Sequence, residues 1–330
     1  MIKNIAIIGG GAWGTALAHT SALAGYKVNI WAREQEVVKT VSIDRENKMF
    51  LPGIILDSRI NISSNFSYVT TNADVVILVV PSQHFQNVCE QLSSSLTNDM
   101  PMIICTKGIE IKSGLLMSEI LSKIFPLNTI AILSGPTFAF EVALGKPTAL
   151  TLACNDENVS LELIETFNKT NLRPYLSNDI VGAEIGGAIK NVIAIASGIT
   201  IGRGLGDNAR ASIITRGFAE MLRLAVSKGA NRETLMGLSG IGDLLLTCTS
   251  SQSRNFSLGV ELGKGNKLVD IVNKRKAVTE GVANATAVVE MSKKYNVKMP
   301  ISEAVVKVLG DISSIDDIIT DLLARPITSE

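Results

Sequence analysis

The chain has 330 residues, enough for two domains, with 46% hydrophobic and 19% charged residues, so it can bury a large core and is not a disordered protein. Lys+Arg and Asp+Glu both total 31; this balance, without a basic tract, argues against a nucleic-acid binder. Mean hydropathy is positive, but no run of 18 uncharged apolar residues appears: the longest candidate, 192–201, is broken by Ser197, Gly198 and Thr200.

The first strand is expected at 3–8 and the first helix at 12–25, with Gly25 as its stop. Between them Gly9, Gly11 and Gly14 form G-x-G-x-x-G in the strand-to-helix context of a dinucleotide fingerprint. Gly9 allows the tight turn, Gly11 lets the backbone approach a pyrophosphate, and Gly14 lets helix and strand pack closely. The helix-start N–H groups then face the anion. A second strand, 27–32, ends at Ala32 and Arg33 where an NAD-specific site usually carries an acid. Arg33 can pair with a 2′-phosphate, which favours NADP(H) while leaving NAD(H) use open; the alternative is a solvated charge. Glu34 and Glu36 read as the first turn of a helix over 34–46, and 50–53 reads as a turn.

Buried parallel strands are expected at 74–80, 102–106 and 129–133. They end at Pro81-Ser82, Lys107-Gly108 and Gly135-Pro136-Thr137, and Ser82 reads as the N-cap of a helix to Leu96. After Thr148–Cys154, a helix near 157–170 and a short strand near 172–176, only helices are predicted: 178–201, 207–228, 253–264, 279–295 and 300–310. The reading is an α/β protein, a Rossmann-like doubly wound parallel sheet over 1–177 and an all-α domain over 178–330, with the strand tips sharing one crevice.

Four scattered cysteines and two histidines offer no metal spacing and fit a reduced, cytoplasmic setting. His19 and His84 read as structural. Lys190 lies in GGAIKNVIAIAS, a helix apolar on nearly every side, where burial would lower its pKa into the range of proton transfer. The alternative is a stem that carries the charge to the surface. Gly186 and Gly187 imply a close approach to that helix. Asp243 either caps a short helix or holds the Lys190 ammonium. Ser253-Arg254-Asn255 at a helix start is either a phosphate cradle or an ordinary cap with a surface arginine.

Together GGGAWGTAL at 9–17, LPG at 51–53, VPSQ at 80–83, CTKGIE at 105–110, GPTFAFEVA at 135–143, IKNVIAIA at 189–196, GIGDLLLTC at 240–248, SRN at 253–255 and Glu280-Gly281 resemble bacterial NAD(P)-dependent sn-glycerol-3-phosphate dehydrogenases. The resemblance implies an all-α second domain of the 6-phosphogluconate-dehydrogenase C-terminal type. It also implies reversible reduction of dihydroxyacetone phosphate to glycerol 3-phosphate for phospholipid synthesis. Lys190 is then the proton-exchanging residue, with Lys107 and Asp243 beside it. Gly9, Gly11, Gly14, Trp13, Arg33, Lys107, Ala139, Arg254, Val278 and Glu280 match cofactor positions. Lys107, Gly135, Thr137, Lys190, Asp243, Ser253, Arg254 and Asn255 match substrate positions. Phe140 and Ala12 depart from the common pattern. The partner is a small phosphorylated substrate, with no metal, nucleic acid or membrane span; a homodimer is allowed. The competing readings are a ketopantoate-type reductase, which would hold a carboxylate instead, and a non-catalytic NADP(H) sensor, which would not need Lys190, Lys107 and Asp243 together.

Overall fold

The computed structural model describes residues 2–96, 100–274 and 279–324. The first half alternates strand and helix: β1 (Asn4–Ile8), α1 (Ala12–Leu23), β2 (Lys27–Trp31), α2 (Gln35–Asp44), β3 (Glu46–Asn47), β4 (Leu51–Ile55), β5 (Ile60–Ser63), α3 (Phe66–Thr70), β6 (Val75–Leu78), α4 (Phe85–Leu92), β7 (Met102–Ile104), α5 (Met117–Ile124), β8 (Ile130–Ser134), α6 (Ala139–Ala143), β9 (Thr148–Cys154), α7 (Glu157–Asn168) and β10 (Leu172–Ser177). One eight-stranded sheet runs β10-β9-β8-β7-β6-β1-β2-β5. Strand pleating sends successive side chains to opposite faces. Ile5 and Ile7 of β1 therefore enter one core, while Ala6 and Ile8 enter the other. β2, β1, β6, β7 and β8 pair in parallel, so their C-terminal tips lie on one edge of the sheet.

The second half is helical: α8 (Ile180–Gly202), α9 (Gly206–Ser227), α10 (Arg232–Leu235), α11 (Asp243–Thr249), α12 (Arg254–Gly263), α13 (Leu268–Asn273), α14 (Glu280–Lys294), α15 (Pro300–Leu309) and α16 (Ile315–Leu323). α9, α11, α12, α14 and α15 all pack on α8. α8 is long and apolar enough to cross a membrane, but 89% of its apolar window is buried inside the protein. It is the core of the helical half. Ile109 and Leu116, which follow β7, join that same core and tie the halves together. So does Glu184 of α8, whose carboxylate accepts the Ser118 N–H (3.0 Å) and hydroxyl at the start of α5.

Several sequence expectations are corrected. The sheet is not wholly parallel: β8 and β9 pair antiparallel. A parallel return needs a crossover that spans the sheet, and α6, only five residues long, does not carry the chain back to the starting edge. The 50–53 turn lies largely in β4, which pairs antiparallel with β3; the Glu46 carboxylate accepts the Gly53 N–H at 2.8 Å. The edge strand β5 was not anticipated. Ser82 is not a helix N-cap. It begins one 3₁₀ turn, Ser82–His84, before α4, and its side chain is engaged by the other half of the molecule.

Candidate active site

The glycine loop leaves β1 with Gly9 at φ +134°, a conformation that favours glycine. The Gly9 N–H donates to the Trp31 carbonyl at 3.0 Å, which pins the loop beside the tip of β2. A Cβ on Gly14 would overlap the Gly9 carbonyl oxygen, whereas one on Gly11 would meet nothing within 4 Å. Gly9 and Gly14 thus serve internal packing, and Gly11 faces open space. Gly11 brings no side chain to cap α1. The orphan N–H groups of that helix are left for an anion, which fits a dinucleotide pyrophosphate. Trp13 packs against the adjoining core, as does Ala139 at the start of α6. Arg33 is 70% exposed at the tip of β2 and bonds Glu34 Oε1 through its terminal nitrogen at 2.8 Å.

The chemical centre forms where the β7 and β8 tips meet α8 and α11. Lys190 is buried, which decides against a stem reaching the surface. Its Nζ donates to Asp243 Oδ1 at 2.5 Å and to Thr247 Oγ1 at 3.1 Å. Lys107 Nζ donates to the other carboxylate oxygen, Asp243 Oδ2, at 2.7 Å and to the Gly135 carbonyl at 3.2 Å. One buried carboxylate therefore bridges two ammonium groups. Thr137 Oγ1 donates to the same Gly135 carbonyl.

The electrostatics follow from that bridge. Burial lowers the pKa of Lys190 to about 8; Asp243 opposes the shift and the Lys107 charge adds to it. Burial would raise the Asp243 pKa, but the two lysines outweigh it and hold the carboxyl below its usual range. An amine that titrates near neutral pH, oriented by a permanent carboxylate, can take or give a proton.

Gly186 and Gly187 mark a close approach made by the protein itself. A Cβ on Gly186 would strike the Ser239 carbonyl, and one on Gly187 would lie 3.2 Å from Lys107 Cγ. Farther along, Gly198 and Gly202 of α8 face Gly259 and Gly263 of α12 at backbone contact. That contact brings the start of α12 beside the lysine helix. Ser253 there caps α12 by accepting the Phe256 N–H at 3.2 Å, leaving its own proton to donate. Asn255 is held on both sides: its Nδ2 donates to Asn191 Oδ1 at 2.9 Å and its Oδ1 accepts the Gly281 N–H at 3.0 Å. Arg254 is influenced by Glu280, and Ser82 Oγ donates to Glu280 Oε2 at 3.0 Å. The β6 tip, α12 and α14 thus converge. Val278 lies outside the described residues.

Two family profiles match the chain, the N-terminus of NAD-dependent glycerol-3-phosphate dehydrogenase over residues 4–160 and its C-terminus over 179–320. The chain belongs to the NAD-dependent glycerol-3-phosphate dehydrogenase family. It is 48% identical to a glycerol-3-phosphate dehydrogenase [NAD(P)+] of Parvibaculum lavamentivorans over 99% of this chain and 98% of that one. It is 49% identical, over the same shares, to one from Maricaulis maris. The crystal structure of glycerol-3-phosphate dehydrogenase from Coxiella burnetii superposes with a TM-score of 0.95 at 35% identity, covering 98% of this chain and 99% of that one. A ketopantoate reductase from Ralstonia eutropha shares the fold alone, at 16% identity and a TM-score of 0.62 over 94% of this chain and 98% of that one.

Three side chains that bond Lys190, Asn255 and the Lys107 carbonyl are not singled out from the sequence: Thr247, Asn191 and Asn284. Thr247 had a signal, since it follows Asp243 by one helical turn and shares its face. Asn191 and Asn284 had none, because the partners that matter, Asn255 for the one and the Lys107–Ile109 loop with Ala188 for the other, lie 64 to 177 positions away. His19, read as structural, accepts the Asp57 N–H through Nδ1 at 3.3 Å, away from the lysines.

Proposed function

We propose that this dehydrogenase catalyses the reversible NAD(P)H-dependent reduction of dihydroxyacetone phosphate to sn-glycerol 3-phosphate for glycerophospholipid synthesis. The observation that carries the reading is the Asp243 carboxylate shared by Lys190 and Lys107. Lys190 gives its proton to the C2 oxygen in reduction and takes it back in oxidation. Asp243 orients the Lys190 amine. Lys107 adds positive charge at the substrate and, as a like charge, helps keep Lys190 titratable near neutrality. Ser253, Arg254 and Asn255 at the start of α12, with Gly135 and Thr137, receive the phosphorylated substrate. The Gly9–Gly14 loop, Trp13, Ala139, Val278, Glu280 and Arg254 hold the dinucleotide, which when bound supplies or accepts the hydride. Residues 1–177 form the nucleotide-binding unit and 178–330 the substrate unit. A cytoplasmic setting fits the four free, buried cysteines. Assay of NADPH and NADH oxidation with dihydroxyacetone phosphate, beside ketopantoate, tests the reading: turnover of ketopantoate alone refutes it.

NADP(H) is the favoured cofactor, because Arg33 presents a guanidinium at the β2 tip. Among the described residues it is engaged only by its neighbour Glu34, in an exposed ion pair of the kind that contributes little, so a 2′-phosphate can displace that pairing. A charge-assisted hydrogen bond is worth about 1.5–3 kcal/mol. Arg33→Ala therefore lowers the NADPH/NADH ratio of kcat/KM by about tenfold or more. An unchanged ratio removes Arg33 as the reader of the 2′-phosphate.

A further inference from the structure

The β7 strand ends at Ile104, and its backbone pairing ends soon after. The Cys105 N–H donates to the Leu78 carbonyl at 2.8 Å, and Thr106 Oγ1 donates to the Val80 carbonyl at 2.8 Å. The next three residues carry Lys107 away from the sheet. Their peptide groups meet Asn284, a wholly buried side chain on α14. Asn284 Oδ1 accepts the Ile109 N–H at 3.4 Å, and its Nδ2 donates to the Lys107 carbonyl at 3.4 Å and to the Ala188 carbonyl at 3.5 Å. Ala188 is on α8, two residues before Lys190. Gly108 makes room for this arrangement: a Cβ there would lie 2.5 Å from Ser82 Cβ and 2.7 Å from Asn284 Oδ1. One amide thus joins the main chains of the two segments that carry the two lysines.

We propose that Asn284 is a positioning residue that holds the Lys107 loop on α8 and so sets the spacing of the two amines that share Asp243. The proposal rests on the catalytic reading of Lys190 and deepens it. Removal of the amide leaves the Ile109 N–H and the Lys107 carbonyl buried without this partner, and the loop must shift to satisfy them. The Lys107 side chain, packed against Gly187, moves with it. Among the described residues, three ionisable groups act on or beside Lys190: Asp243, which attracts its proton, Lys107, which repels it, and the buried Cys248 thiol, held neutral by burial. Withdrawal of Lys107 leaves the attraction of Asp243 less opposed. The Lys190 amine then keeps its proton to higher pH.

The test uses Asn284→Leu and, as the milder cavity-forming change, Asn284→Ala. Wild-type reduction declines as pH rises through the Lys190 titration near 8. In the variants kcat falls about tenfold or more, KM for the cofactor stays within about threefold, and the declining limb moves up by about half a pH unit or more. An independent readout is the pH dependence of Lys190 acetylation in the cofactor-free protein, followed by peptide mass; its midpoint moves up in parallel. A limb and labelling midpoint that stay in place overturn the proposal, whether or not kcat falls, because simple loosening of the fold slows turnover without moving a titration. A wild-type enzyme with no limb near 8 instead refutes the proton-transfer role of Lys190.

Discussion

A Lys190→Met enzyme turns over about 10²–10⁴-fold more slowly than the wild type while still binding NADPH, the span that general acid–base help typically supplies. Methionine is one heavy atom shorter but keeps an unbranched apolar stem in place of the lysine's, so the packing of α8 survives. Asp243 keeps Lys107 as its counter-ion at 2.7 Å, so the buried carboxylate is not stranded. The pH profile carries the finer evidence. The folded-state pKa of Lys190 is lowered to about 8, and in the proposed mechanism the neutral amine is the base for alcohol oxidation. Oxidation therefore rises with pH through about 8, and reduction, which needs the ammonium, falls through the same value. Both limbs disappear in Lys190→Met. Steady-state rates in both directions and NADPH fluorescence titration check this; near-normal kcat removes Lys190 from the mechanism.

Asp243→Asn damages both stability and chemistry. Breaking a buried ion pair by removing one partner typically costs about 3–5 kcal/mol, and here two ammonium groups lose the same carboxylate. Without it, Lys190 has desolvation and the Lys107 charge acting on it with no compensation, and both lower its pKa. The limb of the reduction reaction moves to lower pH, and kcat for reduction at neutral pH falls because less Lys190 is protonated. Asp243→Glu, which keeps the charge, retains more of both stability and rate. Denaturant melts and pH–rate profiles of the two variants decide the point: a limb that stays near 8 in a folded Asp243→Asn enzyme means that another group holds the Lys190 proton.

The site was unevenly legible. The glycine loop could be read directly, because each glycine answers a local steric demand next to a strand and a helix. Lys190 could be read because a charge inside an all-apolar helix conflicts with its surroundings. Asp243 was less directly legible from its neighbours: an acid after a Gly-rich turn can also be a cap, the lesser of the two readings. Gly186 and Gly187 correctly announced a close approach, but the approaching atoms proved to be Ser239 and the stem of Lys107. Ser82 fitted an N-cap by composition, and the Glu280 carboxylate from the distant α14 took its hydroxyl instead.

The sequence by itself determined the alternation of strand and helix, the glycine turn between β1 and α1, the change to helices after residue 178, and the presence of one lysine that needed a purpose. These depend on periodicity, turn chemistry and burial, which act over a few residues. Tertiary structure decided the antiparallel β8–β9 pair, the sharing of Asp243 by Lys107 and Lys190, and the placement of Asn284 between the Lys107 loop and α8. Those depend on which surfaces meet when α8 docks against the strand tips, α11 and α14. Such contacts join residues dozens to hundreds of positions apart, and no local period encodes them.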